Sequence, residues 1–107
     1  MTLHSVLLED EVLLSVDGVF DGSLAPAYHR AIEAAFAAEA RRVVVDLTMA
    51  TAIDGGGAAV LAATVASCAA RGTHLVLAMP DGVEAEVTDP GQVKLLLRSF
   101  EPGRDVG

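Results

Sequence analysis

The 107-residue chain is poor in aromatic residues: it has no tryptophan, one tyrosine and three phenylalanines. A core made from it rests on Val, Leu, Ile and Ala, which together with the other apolar residues bring the hydrophobic share to 52%. Cysteine is nearly absent. Cys68 stands alone, so no internal disulfide can form, which fits a reducing compartment. Basic residues are also scarce, with 7 Lys and Arg against 15 Asp and Glu and a formal net charge of −8. Phosphate backbones and anionic membrane surfaces both demand concentrated positive charge, so neither is an expected partner. No apolar run approaches the roughly 20 residues needed to span a bilayer. Met1 to Leu8 lacks the basic segment and long apolar stretch of a leader, so the expected location is cytoplasmic.

What is present reads as one α/β domain over 1–107, with Pro102–Gly107 as a frayed tail. Leu3–Leu8 and Val12–Val16, with Val19-Phe20 beyond Gly18, suggest a β-hairpin about the charged turn Glu9-Asp10-Glu11. Asp21-Gly22-Ser23 with Pro26 signals a helix start, and Tyr28, Ile32, Ala35 and Phe36 give a helical stripe over about 24–40. Val43–Leu47 is a short β-branched run of the kind buried in a partly parallel sheet. A second helix is predicted over 56–71, ended by Gly72 and followed by the strand Leu75–Ala78. Alternation over 83–88 suggests an edge strand, and Asp89-Pro90 opens a third helix over about 90–100 with Val93, Leu96, Leu97 and Phe100 as its stripe. The expected architecture is a small mixed β-sheet of four to five strands covered by about three helices.

Few chemical constellations stand out. The glycine run Gly55-Gly56-Gly57 lacks the Gly-Lys-Ser/Thr ending of a nucleotide loop, and Asp54 sits where an anion would go. His4, His29 and His74 show no metal-ligand spacing, and no Gly-x-Ser-x-Gly elbow is present. No cofactor, metal or catalytic residue is therefore expected. Cys68 lies on an apolar stripe and reads as a structural thiol. Asp46 is read as capping the loop that follows its strand, with presentation of Asp54 as the alternative.

The most informative stretch is Asp46-Leu47-Thr48-Met49-Ala50-Thr51-Ala52-Ile53-Asp54-Gly55-Gly56-Gly57. A buried strand runs through a loop to an aspartate placed at a helix N-cap, where its oxygens accept backbone N–H bonds and its charge suits the helix dipole. This stretch resembles the STAS domain of bacterial anti-sigma factor antagonists. The family pattern of Asp-Leu at a strand end, an apolar loop residue, and Asp-Ser-Ser-Gly finds its counterparts in Asp46-Leu47, Ile53 and Asp54–Gly57. Val16–Asp21 and Gly72–Leu77 resemble the family's approach to the first helix and exit from the second, and Pro90, Val93, Lys94 and Leu96 its third helix.

The resemblance implies a non-enzymatic module that binds an anti-sigma factor of kinase type, or another regulatory protein, as a monomer or weak dimer. It implies contact through Asp54, Gly55, Gly56, Gly57 and Thr51, with Ser23 as a neighbour. In regulated members the second residue after the signature aspartate is a phosphorylatable Ser or Thr. Gly56 occupies that position and Gly55 the one before it, so neither can accept phosphate. The expectation is a binding surface without that switch, and Gly56→Arg is expected to abolish binding without unfolding. The alternatives are a STAS subunit that binds the ATPase of an ABC lipid-transport system, and a small-ligand sensor with an apolar groove.

Overall fold

Val12, Leu14 and Val16 are buried while Leu13 and Ser15 between them are only half covered. That alternation is the mark of a strand with one face on a core. The computed structural model describes residues 2–96. In chain order its elements are β1 (Thr2–Leu8), β2 (Glu11–Phe20), a single 3₁₀ turn (Gly22–Leu24), α1 (Ala25–Ala37), β3 (Arg42–Asp46), β4 (Ala50–Ile53), α2 (Gly55–Arg71), β5 (His74–Ala78), β6 (Glu84–Glu86) and α3 (Pro90–Leu96).

The sheet runs β1-β2-β3-β5-β6, with β4 pairing the far end of β2. The β1–β2 and β5–β6 pairs are antiparallel, and β2–β3, β3–β5 and β2–β4 are parallel. Register aligns Leu14 with Val45 and Leu77, and Val12 with Val43 and Leu75. All six are buried. Onto this face pack Tyr28 and Ile32 of α1, Leu61, Val65 and Cys68 of α2, and Val93 of α3. Each fully buried Leu or Val contributes about 1.5–3 kcal/mol of transfer free energy, so this layer is the main source of stability. With few aromatics available, Phe20 and Tyr28 form the central ring contact, centroids 5.5 Å apart and tilted by 45°. Arg71, at the end of α2, lies 4.3 Å over the Phe36 ring and ties the two long helices together.

Among the described residues there are six strands, one beyond the upper expectation. The extra one is β4, which reads from sequence as loop. Its four residues are too few and too small to show a periodicity. It forms because β2 is ten residues long and β3 only five, so β2 keeps free backbone groups that β4 pairs. Gly18, at φ +91, takes the irregularity between the two halves of β2, and its N–H donates to the Met49 carbonyl at 3.2 Å.

The first helix is shorter than expected mainly at its end, where Ala38 caps it and Glu39 turns at φ +56; at its start Asp21 caps a 3₁₀ turn and not α1 itself. The edge strand contracts to Glu84–Glu86 behind a tight turn held by Met79, Asp81 and Val83. Asp89 caps α3 through the Gly91 N–H at 2.9 Å, and the Gln92 side chain accepts from the Thr88 and Asp89 N–H groups in return. Leu97, Arg98, Phe100 and the tail 102–107 lie outside the described residues.

Candidate functional site

The start of α2 is where the informative stretch comes to the surface. Asp54 has extended backbone angles, φ −93 and ψ −177, and its Oδ1 accepts from the Gly57 N–H at 2.9 Å. Its own N–H donates to the Phe20 carbonyl at 3.1 Å, which fixes the helix start to the end of β2. This is the N-cap that the sequence predicts.

The three glycines are not equivalent. A β-carbon on Gly57 would stand 2.2 Å from the Phe20 carbonyl oxygen, so the residue is buried and serves close packing of α2 on β2. It is removed from the surface group expected from sequence. A β-carbon on Gly56 would stand 2.8 Å from the Gly22 nitrogen and 2.9 Å from its Cα. Gly56 is therefore an exposed residue with its back to a wall, and Gly56→Arg would push on backbone. The expectation that this variant leaves the fold untouched is corrected. Gly55 has nothing within 4 Å of a built β-carbon and is the open position of the three.

Ser23 follows Gly22 directly, so the Gly22–Gly56 contact places it as a neighbour of the α2 start. Its N–H and hydroxyl both donate to Asp21 Oδ1, at 2.9 and 2.5 Å. Those two bonds hold the Asp21 carboxyl below its ordinary value. Thr51 is exposed on β4, three residues before Asp54. Asp46 accepts from the Thr48 N–H and hydroxyl at 2.9 and 2.6 Å, so it caps the turn into β4. Gly22, Phe20 and Met49 adjoin the site although the sequence pattern does not assign them to it. Met49, within the stretch already singled out, is 67% exposed in the turn before β4. The local signals at Phe20 and Gly22 speak only of a strand and a helix start, because their part in the site comes from contacts with Gly57 and Gly56 far along the chain.

The other described polar side chains form separate local pairs. His29 pairs with Glu33 at 3.6 Å, and His74 Nδ1 with Glu86 at 2.7 Å, on separate parts of the surface. Among the described residues, no three of His, Cys, Asp or Glu are placed to hold a metal ion. Burial pushes the Cys68 thiol up to about 11, which keeps it protonated and unreactive. Burial also raises Tyr28, whose hydroxyl has no hydrogen-bond partner among the described residues; the neighbouring Thr64 hydroxyl donates instead to the Val60 carbonyl at 2.8 Å. No described helix is long and apolar enough to cross a membrane.

A family model described as "Mlab, STAS domain" matches residues 5–97. The chain belongs to the STAS domain family. None of the curated proteins matches it. Among solved structures, the unphosphorylated anti-sigma factor antagonist SpoIIAA superposes with a TM-score of 0.62 over 71% of either chain, at 13% identity. At that identity the likeness is one of fold. The crystal structure of Mglu gives a TM-score of 0.64 at 25% identity over 75% of this chain, and this chain spans 20% of that one. The mixed sheet with three helices is thus the STAS architecture, and the Asp54 cap stands at the start of the second of those helices.

Proposed function

We propose that this STAS domain is a non-enzymatic regulatory module of the anti-sigma factor antagonist type. Its partner is an anti-sigma factor of kinase type, and the contact is made by the first turn of α2, the exposed end of β4 and the 3₁₀ turn at Ser23. The observation that carries the reading is the exposed, Asp54-capped helix start with no side chain at Gly55 or Gly56. A partner surface approaches such a backbone closely because no β-carbon stands off from it. The same absence removes the hydroxyl that a kinase-type partner would modify, so binding is governed by abundance or by another signal. A phosphate here would add about −1.5 to −2 charge beside Asp54. Without an acceptor that off-switch is missing.

The test is a binding titration against a kinase-type anti-sigma factor with ATP present. The proposal expects a complex that persists and no phosphate on the STAS domain. Gly55→Arg, at the open position, is expected to weaken the complex at least about tenfold with an unchanged melting temperature. Stoichiometric phosphate at Thr51 or Ser23 would overturn the unswitched reading. A second reading uses the same surface toward the ATPase subunit of an ABC lipid-transport system. The matching family model, Mlab, and the missing hydroxyls both suit a permanent contact of that kind. Binding to such an ATPase and not to the kinase would select it.

A further inference from the structure

The two edges of the sheet are built differently. The β6 edge is three residues long and carries Glu84 and Glu86, both exposed. Short length and charge are the usual protections of an edge strand. The β1 edge is seven residues long, about 23 Å. It contains no Asp, Glu, Lys, Arg or Pro, and its pairing with β2 runs from Thr2 to Leu8 without a bulge. Among the described residues nothing pairs with its outer side. Val6, Leu7 and Leu8 are 47%, 57% and 49% exposed.

We propose that β1 pairs antiparallel with β1 of a second copy, joining the two sheets about a two-fold axis near Ser5. The strand is complementary to itself in that arrangement. With the axis at Ser5, Leu3 faces Leu7 of the other copy, and His4 faces Val6. On the helix side the small residues Ala31 and Ala34 leave a shallow groove beside Leu7 that receives the apposed leucine. On the helix-free side Val6, Leu13, Val44 and Val76 lie in one row across the sheet, and pairing continues the row over the axis. The protected β6 edge rules out a head-to-tail β1–β6 ladder, which would grow into a fibre, so the assembly closes at two. Each copy carries a net charge of −8 while the paired strands carry none, so the copies repel at long range and attract only at the seam. The dimer therefore strengthens as salt screens that repulsion.

Sedimentation equilibrium with the whole chain tests this. The mass is expected to rise from 11.0 kDa toward twice that value with concentration, with a dissociation constant between roughly 1 µM and 1 mM, as a small interface allows. Raising the salt is expected to lower that constant. Amide hydrogen exchange at high and low concentration is expected to show added protection confined to residues 2–8. Val6→Lys places like charges near the axis and is expected to weaken association about tenfold or more without moving the melting temperature of the dilute monomer. A mass fixed at 11.0 kDa up to about 1 mM would overturn the proposal. So would association that salt weakens, protection that falls elsewhere, or a folded Val6→Lys protein that dimerises unchanged.

Discussion

Gly57 lies so close to Phe20 that a β-carbon on the glycine would stand 2.2 Å from the phenylalanine carbonyl oxygen, and that same carbonyl accepts the N–H of Asp54. One backbone oxygen thus seats the start of α2 on the end of β2. The function proposed for the surface depends on this seat, because it sets how far the first turn stands out from the sheet.

The glycine run is expected to respond to alanine in a graded way. Gly57→Ala forces two backbones apart and is expected to cost about 3 kcal/mol, the upper end for overpacking. Gly55→Ala meets open space and is expected to be neutral or to stabilise by up to about 1 kcal/mol, since alanine is the better helix former. Gly56→Ala falls between them, because its β-carbon would stand 2.8 Å from the Gly22 nitrogen, a closer approach than backbone allows but a milder one than at Gly57. Urea denaturation of the three variants gives the order directly, and equal effects would refute the packing described for Gly57.

The two long helices end differently. After α2 the chain turns through Gly72 at φ +71; after α1 it turns through Glu39 at φ +56, a left-handed conformation that costs a side chain roughly 1 kcal/mol. Glu39 is exposed, and its turn is held by backbone bonds from Glu39 to Phe36 and from Ala40 to Ala35, each 3.0 Å. Glu39→Gly is therefore expected to raise stability by about 0.5–1 kcal/mol, read as a higher melting temperature. A loss of stability would show that the Glu39 side chain contributes more than its strain costs.

Cys68 is 1% exposed, and its thiol is raised by burial from 9.0 to about 11. Alkylation of the folded protein near pH 8 is expected to proceed only through opening, with full labelling once denaturant is added. A raised value in the folded state means that the contribution of Cys68 to stability is complete below pH 9 and is lost as pH rises toward about 11. Cys68→Ala should flatten the fall in stability across that window. Rapid labelling of the native protein would contradict the burial.

Much of this fold is legible along the chain because each signal is local. The Asp54 cap, the Gly72 stop, the Asp89-Pro90 start and the apolar runs at Val43–Val45 and Leu75–Leu77 each depend on neighbours within a few residues. The STAS resemblance was legible for the same reason, since its pattern is a short ordered run from Asp46 to Gly57. What local reading cannot separate is Gly55 from Gly56 and Gly57. All three are the same residue at a helix start, and their spacing says nothing of which one meets Gly22, which meets Phe20 and which meets water.

By itself the sequence determined an acidic α/β domain with one cysteine, a capped helix start and three consecutive glycines in the first turn after the cap. Tertiary structure alone decided that β4 exists, that Gly57 is packing while Gly55 is surface, and that one sheet edge is long and uncharged while the other is short and acidic. The first set follows from side-chain chemistry and periods of two or 3.6 residues. The second depends on backbones brought together from distant parts of the chain, where a single missing β-carbon or a few unpaired N–H groups settle what fits.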